Sequence, residues 1–186
     1  MKVKPIPRHD LPVIVHGEWD DLETLVATLS DSFAQDPILN WVIPRTQLYP
    51  EFFRILIEEV YLPRGIVHLA EDGRGAALWL PPGERLEIPP RPALLRMIAK
   101  LVLFRGPLPL WRIYLQGHLF SRQHPREPHY YLQFIGCRQR DQGQGIGSAL
   151  LKHGTRICDE RGVAAYLESS NQLNVPLYQR HGFEII

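Results

Sequence analysis

Cysteine is scarce in this chain: 186 residues carry only Cys137 and Cys158. Two thiols supply no disulfide framework, and nothing near them has the paired spacing of metal ligands. The eight histidines are scattered, with no pair at helical or loop ligand spacing, so no metal is expected. Long apolar runs are missing too. None approaches the roughly 20 residues needed to span a bilayer, and the start, MKVKPIPRHDLPVIVHGEWDD, lacks the continuous apolar stretch of a signal peptide. Stable membrane insertion is therefore not expected, and the cytoplasm is the expected compartment. Nor is there an excess of charge. A formal net charge of +1 argues against a dedicated nucleic-acid binder or a polyacidic partner. The composition, 45% hydrophobic and 22% charged, is that of a globular protein, and the length suits one domain over 1–186 with a proper core.

LPVIVH (11–16) reads as a first strand, followed by a helix whose Leu22, Leu25, Val26, Leu29 and Phe33 fall at helical spacing. Asp20 with Glu23 resembles its capping box. Pro37 and Pro44 break helical order, and an amphipathic helix restarts after Pro50 over 49–62. GIVHLAED (65–72) and AALWLPP (76–82), joined by GRG, read as a hairpin.

From 84 to 126 prolines cut the chain into pieces, and no acid occurs between Ile88 and Arg126. Arginines and Lys100 are interleaved there with LVLF and PLPLWRIYLQGHLF, a pattern of two short apolar helices with basic edges. Such helices can cap a site or attract an anionic ligand, but packing helices with snorkelling arginines are the favoured reading. A membrane-surface role is weaker, because the prolines preclude one long amphipathic helix.

PHYYLQFIGC (128–137) is an aromatic and branched strand. It leads into RDQGQGIGSALL (140–151), where Gly143, Gly145 and Gly147 precede a helix through about residue 161, with Ile146, Leu150, Leu151 and Ile157 on one stripe and Gly162 as its stop. VAAYLES (163–169) is the next strand. Strand, glycine loop, helix and strand make a crossover unit, so the two strands should be parallel neighbours. A short helix around NVPLYQRHG and a strand start, FEII, end the chain. Glycines before a helix free backbone N–H groups for a phosphate, with the helix dipole adding positive potential. A P-loop would end in Gly-Lys-Ser/Thr, whereas GIGSALL has no lysine until Lys152. A dinucleotide fingerprint needs G-x-G-x-x-G, and the spacing here is G-x-G-x-G.

The loop resembles the acyl-CoA loop of the GNAT acetyltransferase superfamily, Gln/Arg-x-x-Gly-x-Gly/Ala, through Gln142, Gly145 and Gly147. Its surroundings are similar as well: YLQFIGC before it, SALLKHGTRICDERG after it, then AYLESSNQLNVPLYQRHGF, in which an Asn and a Tyr flank a short helix. FAQDPILNWVIP and AALWLPPGE look like a bacterial and fungal subgroup. The resemblance implies an α/β GNAT fold, a mixed and twisted β-sheet flanked by helices, with 84–126 as a basic helical insertion. It implies acetyl-CoA as co-substrate and transfer of the acetyl group to a primary amine of a small molecule or peptide. Ile135, Gly136 and Cys137 would pair with the pantetheine arm, and Gln142, Gly143, Gln144, Gly145, Ile146, Gly147 and Ser148 would cradle the pyrophosphate. Asn174 would bind near the pantetheine, and Tyr178 would sit beside the thioester sulfur.

Acyl transfer needs a neutral amine, donors for the developing oxyanion and a proton for the leaving thiolate. Tyr178 is the expected general acid, and a backbone N–H at the end of the 129–137 strand the expected oxyanion donor. Many relatives carry a carboxylate base on the strand before the loop; HYYLQFIGC has none. Glu168 is the candidate base, acting directly or through water, against a solvated strand-end carboxylate; His129 is the fallback, and a relay of waters alone is open. Cys137 reads as a small core residue rather than a nucleophile. Phe33, Asp36 and Trp41 fall where related enzymes build the acceptor pocket, although core packing explains Phe33 and Trp41 equally well. The 91–120 segment is the expected shaper of that pocket. An acyl-CoA-binding sensor without turnover is the alternative from another class. Relatives usually continue past GFE through another strand, so the last strand looks truncated, and completion of the sheet by a second chain, as a homodimer, is one reading of that end.

Overall fold

The computed structural model describes residues 11–186. β1 (Ile14–His16) leads into α1 (Leu22–Ser32), α2 (Pro37–Val42) and α3 (Tyr49–Leu56). A π-helical turn, Ile57–Tyr61, joins α3 to α4 (Leu62–Arg64). Pro63 has no N–H to give the carbonyl four residues back, and the widened turn lies immediately before it. The helix expected at 49–62 is thus present with its hydrogen-bond register altered. β2 (Ile66–Ala70) and β3 (Gly75–Leu80) form the expected antiparallel hairpin. α5 (Pro92–Arg105) and α6 (Leu108–Gln123) follow, then β4 (His129–Cys137), α7 (Ile146–Arg161), β5 (Ala164–Leu167) and α8 (Val175–Gln179).

The strands make one five-stranded sheet in the order β1-β2-β3-β4-β5, antiparallel except for the parallel β4–β5 pair. The glycine loop and α7 form the crossover between those two, as the sequence anticipates. Each face of the sheet carries its own core. Along the central strand β3, Ala76, Leu78 and Leu80 face a cluster with Leu25 and Leu29 of α1 and Phe53 of α3. Ala77 and Trp79 face the opposite cluster with Ile146, Leu150 and Leu151 of α7. This alternation is the two-residue period of a strand covered on both sides.

β4 breaks that period. Its Tyr130 and Leu132 belong to the α7 side and Tyr131 to the α1 side, yet beyond Gln133 the parity reverses: Phe134 faces α1 and α3 while Ile135 and Cys137 face α7. The cause is a register shift against β3, where Trp79 pairs with Leu132 but Leu78 pairs with Phe134, leaving Gln133 as an extra residue. Such a bulge swings the following side chains to the other face and bends the strand.

Three local expectations are corrected. The entry to α1 is held two residues earlier than an Asp20–Glu23 box, by the Glu18 N–H donating to Asp21 Oδ2 at 3.0 Å. On α7, Ile157 is only half-buried, and Gly154 and Cys158 complete the inward stripe. The FEII stretch forms no strand; Ile186 is 92% exposed.

At Gly154 α7 packs tightly on the sheet: a Cβ there would lie 2.3 Å from Trp79 Cζ2. Because Trp79 is buried, neither partner can step aside. Gly154→Ala is expected to cost about 1–3 kcal/mol through overpacking and to lower the thermal midpoint by about 5 °C. Thermal unfolding followed by circular dichroism checks this, and an unchanged midpoint would mean that α7 sits farther from β3.

Candidate active site

Parallel pairing of β4 with β5 ends at Leu132 and Leu167, while β4 runs on to Cys137. The strands therefore part, and the Gln133 bulge lies at the point of divergence. A cavity of about 730 Å³ occupies the gap. Ile135, Gly136 and Cys137 form its β4 wall, and Gln142, Gly143 and Gly145 to Ser148 form its floor at the start of α7. Glu168, Asn174 and Tyr178 close it from the β5 side, with Phe33 and Asp36 at the end of α1 opposite. Of the residues singled out from sequence for cofactor or catalysis, Gln144 and the fallback base His129 do not line it. The Gln144 amide accepts from Arg74 at 3.0 Å and donates to the Arg140 carbonyl at 3.4 Å.

Gly143 and Gly145 adopt φ of 76° and 85°. This left-handed region strains any residue with a Cβ. Gly145 is the N-cap of α7 and offers no side-chain cap; of the first helical N–H groups, that of Gly147 meets the Cys137 sulfur, and the first with an intrahelical partner is that of Ala149, which donates to Gly145 O at 3.0 Å. Uncapped N–H groups at the positive end of a 16-residue helix, opening into a cavity, fit a bound pyrophosphate. The loop is anchored from α1 and the turn after it: the Gln139 N–H donates to Asp31 Oδ2 at 2.7 Å, and Gln35 donates to the Gln139 side chain at 2.9 Å. Ser148 Oγ lies 2.6 Å from His181 Nε2. Burial first, then the charges of Arg180 and Lys152, hold that imidazole below its usual pKa, so a neutral ring meets the hydroxyl.

Tyr178 is 8% exposed. Its pKa is raised by burial and by the negative charge of Asp36, against a hydrogen bond with Asn174 that acts the other way. The phenol thus holds its proton at neutral pH. Asp36 is fixed: Oδ1 accepts the Leu39 N–H at 2.7 Å, capping α2, and Oδ2 accepts the Ser170 hydroxyl. That pair ties the α1–α2 corner to the end of β5 across the cavity. Burial pushes the Cys137 thiol up to about 11 despite a hydrogen bond from the Gly147 N–H. At pH 7 it is a thiol in the cavity wall, not a nucleophile.

Glu168 is not a solvated carboxylate; its side chain is 16% exposed. Oε2 accepts the Tyr131 hydroxyl, while Oε1 is buried without a hydrogen-bond partner among the described residues and lies 3.8 Å from His124 Nδ1. Burial and then the charge of Glu168 raise the pKa values of both Tyr131 and Tyr166, so both stay protonated. Tyr166 and His124 also interact with this carboxylate, so Glu168 sits among two tyrosines and a histidine rather than in solvent. His129 stands elsewhere: its Nδ1 is 2.7 Å from the Glu127 carbonyl and its Nε2 3.0 Å from His124 Nε2, away from the cavity lining. Sequence reading missed Tyr131 and His124 because the parallel register of β4 on β5 brings Tyr131 to Glu168 and the end of α6 brings His124.

Two acceptor-pocket expectations are corrected. Trp41 is 41% exposed and packs under Arg112, whose guanidinium donates to its carbonyl at 2.8 Å. No residue of α5 or α6 lines the cavity. Among the described residues no cluster of histidine, cysteine or acidic side chains could hold a metal, and no helix is long and apolar enough to cross a membrane.

Residues 111–183 match the model of the acetyltransferase (GNAT) family. The chain is 30% identical over 182 residues to an uncharacterized N-acetyltransferase of Schizosaccharomyces pombe, covering 89% of this chain and 72% of that protein. Among solved structures it resembles a histone acetyltransferase HPA2 and related acetyltransferase from Corynebacterium glutamicum, with a TM-score of 0.65 and 26% identity over 92% of this chain and 84% of that one. The aminoglycoside N-acetyltransferase AAC(6')-Iy, solved in complex with CoA, shares the fold with a TM-score of 0.52 at 13% identity, over 97% of this chain and 93% of its own. By its likeness to the S. pombe relative along most of both chains, and by the family match over its second half, the chain belongs to the GNAT family of acetyltransferases.

Proposed function

We propose that the protein transfers an acetyl group from acetyl-CoA to a primary amine of a small molecule or peptide. The observation that carries this reading is the single cavity in which the uncapped α7 terminus, the free end of β4, Tyr178 and Glu168 meet. The N–H groups of the Gly143–Ser148 loop bind the pyrophosphate, and the unpaired side of β4 from Gln133 to Cys137 holds the pantetheine arm as an added strand would be held. Asn174 orients the Tyr178 phenol. That phenol gives its proton to the thiolate as the C–S bond breaks, while a β4 backbone N–H stabilises the oxyanion. Glu168 takes a proton from the substrate's ammonium, and the neutral amine so formed attacks the thioester carbonyl.

A panel of primary amines, scored by release of free thiol, tests the reaction. Amine-dependent thiol release supports it; tight acetyl-CoA binding with no release to any amine would mark a sensor instead. Glu168→Gln keeps the Tyr131 hydrogen bond but removes the base, and is expected to lower kcat/KM for the amine by about a hundredfold at neutral pH with acetyl-CoA affinity unchanged. An unaltered rate would assign deprotonation to water.

A further inference from the structure

The α5–α6 hairpin takes no part in the cavity, and its outer surface has an unusual make-up. α5 buries Met97 and Leu101 against the body of the protein. The opposite side should be polar in a surface helix. Instead Leu95, Ala99, Val102 and Leu103, spaced as one helical stripe, face outward, and Leu103 is 82% exposed. On α6, Trp111, Tyr114 and His118 form an exposed aromatic ladder, with ring centroids 5.7 Å and 6.2 Å apart. Near the hairpin tip at Gly106–Pro107, Leu108 is exposed, and Phe104 is partly exposed with the Arg45 guanidinium 3.8 Å from its ring centroid.

Positive charge surrounds this apolar surface and no acid interrupts it from Ile88 to Arg126. Arg91 and Lys100 are occupied by Glu59 and Glu51, and Arg112 by Trp41. Arg96, Arg105, Arg122 and Arg126 form no ion pair among the described residues. On α5, Arg96 and Arg105 flank the exposed stripe on its two sides; on α6, Arg122 continues the face of the aromatic ladder.

We propose that this hairpin docks the protein peripherally on an anionic lipid surface. A second copy bound through the same face would set arginines against arginines, since a two-fold contact repeats each patch on itself. Nucleic acid would use the arginines but gain little from Leu95, Leu103 and Leu108. A membrane surface engages all three groups together: aliphatic side chains enter the acyl boundary, Trp111 and Tyr114 sit at headgroup depth, and the arginines meet lipid phosphates. One long helix is not required, because the hairpin presents two short ones; this removes the objection that the prolines raise. The proposal is independent of the acetyl-transfer reading.

The test is co-sedimentation of the full chain with vesicles of phosphatidylcholine alone and of phosphatidylcholine with phosphatidylserine. Binding is expected to the anionic vesicles, to weaken with salt, and to be absent with the neutral ones. Combining Arg96→Gln, Arg105→Gln and Arg122→Gln should weaken it about a hundredfold, at about fivefold for each cation near the surface. Leu103→Ser with Trp111→Ser should weaken it about tenfold or more through lost apolar burial. All five side chains are largely outside the core, so CoA binding and the thermal midpoint should stay at wild-type values. Any of three results overturns the proposal: no binding to anionic vesicles, equal binding to neutral ones, or full binding by the Leu103/Trp111 variant, which would mean attraction to any polyanion. A dimer dissociated by Leu103→Ser would also overturn it and make the face a protein interface.

Discussion

Replacing Gly145 by aspartate is expected to weaken CoA binding by on the order of a thousandfold, the cost of one carboxylate about 4 Å from a phosphate charge at an interfacial dielectric. Gly145 is the N-cap of α7 at φ 85°. An aspartate there meets about 1–2 kcal/mol of backbone strain, but its side chain can cap the helix and recover part of that. The fold should therefore survive while the anion site is both filled and reversed in charge. Isothermal calorimetry with CoA, alongside thermal unfolding, separates the two effects. Gly145→Ala supplies the strain without the charge and should lose far less affinity. Wild-type affinity in the aspartate variant would place the diphosphate somewhere other than this helix terminus.

Tyr178→Phe is expected to cut kcat by about 10²–10⁴, the range for loss of a positioned general acid, with CoA affinity nearly unchanged. Phenylalanine retains the ring and its packing against Phe183, at 6.2 Å between centroids, so the cavity wall is preserved. Burial and Asp36 raise the pKa of this phenol above its ordinary 10.0, which keeps the acid form present throughout the neutral range. The alkaline fall in rate that its ionisation would cause therefore belongs above pH 10, and Tyr178→Phe should remove it. Single-turnover kinetics across pH measure both. A variant that turns over as fast as the parent would show that the thiolate leaves unassisted or takes its proton from water.

Much of this site is readable from the chain because its requirements are local. Left-handed φ at Gly143 and Gly145 demands glycine whatever surrounds them. The 3.6-residue spacing of Ile146, Leu150 and Leu151 specifies the inward face of α7, and strand, loop, helix and strand in succession specify a parallel pair. Glu168 was legible as a carboxylate at a strand end, but its environment was not: Tyr131 lies 37 positions away, and no spacing rule relates them. Its burial converts a residue that sequence alone leaves between solvent and catalysis into a carboxylate enclosed by Tyr131 and His124.

The sequence by itself determined the order of the elements, the hairpin of β2 and β3, the crossover through α7 and the glycine terminus that can hold a diphosphate, since each follows from backbone conformation or periodicity within a few residues. Only the tertiary structure decided where β4 and β5 separate. The bulge at Gln133 reverses the faces of Phe134, Ile135 and Cys137, and strict alternation would have assigned all three to the wrong side. It also decided that α5 and α6 stand away from the cavity with apolar side chains turned outward. Both outcomes depend on which distant surfaces pack together, and contacts between residues far apart in the chain leave no period within it.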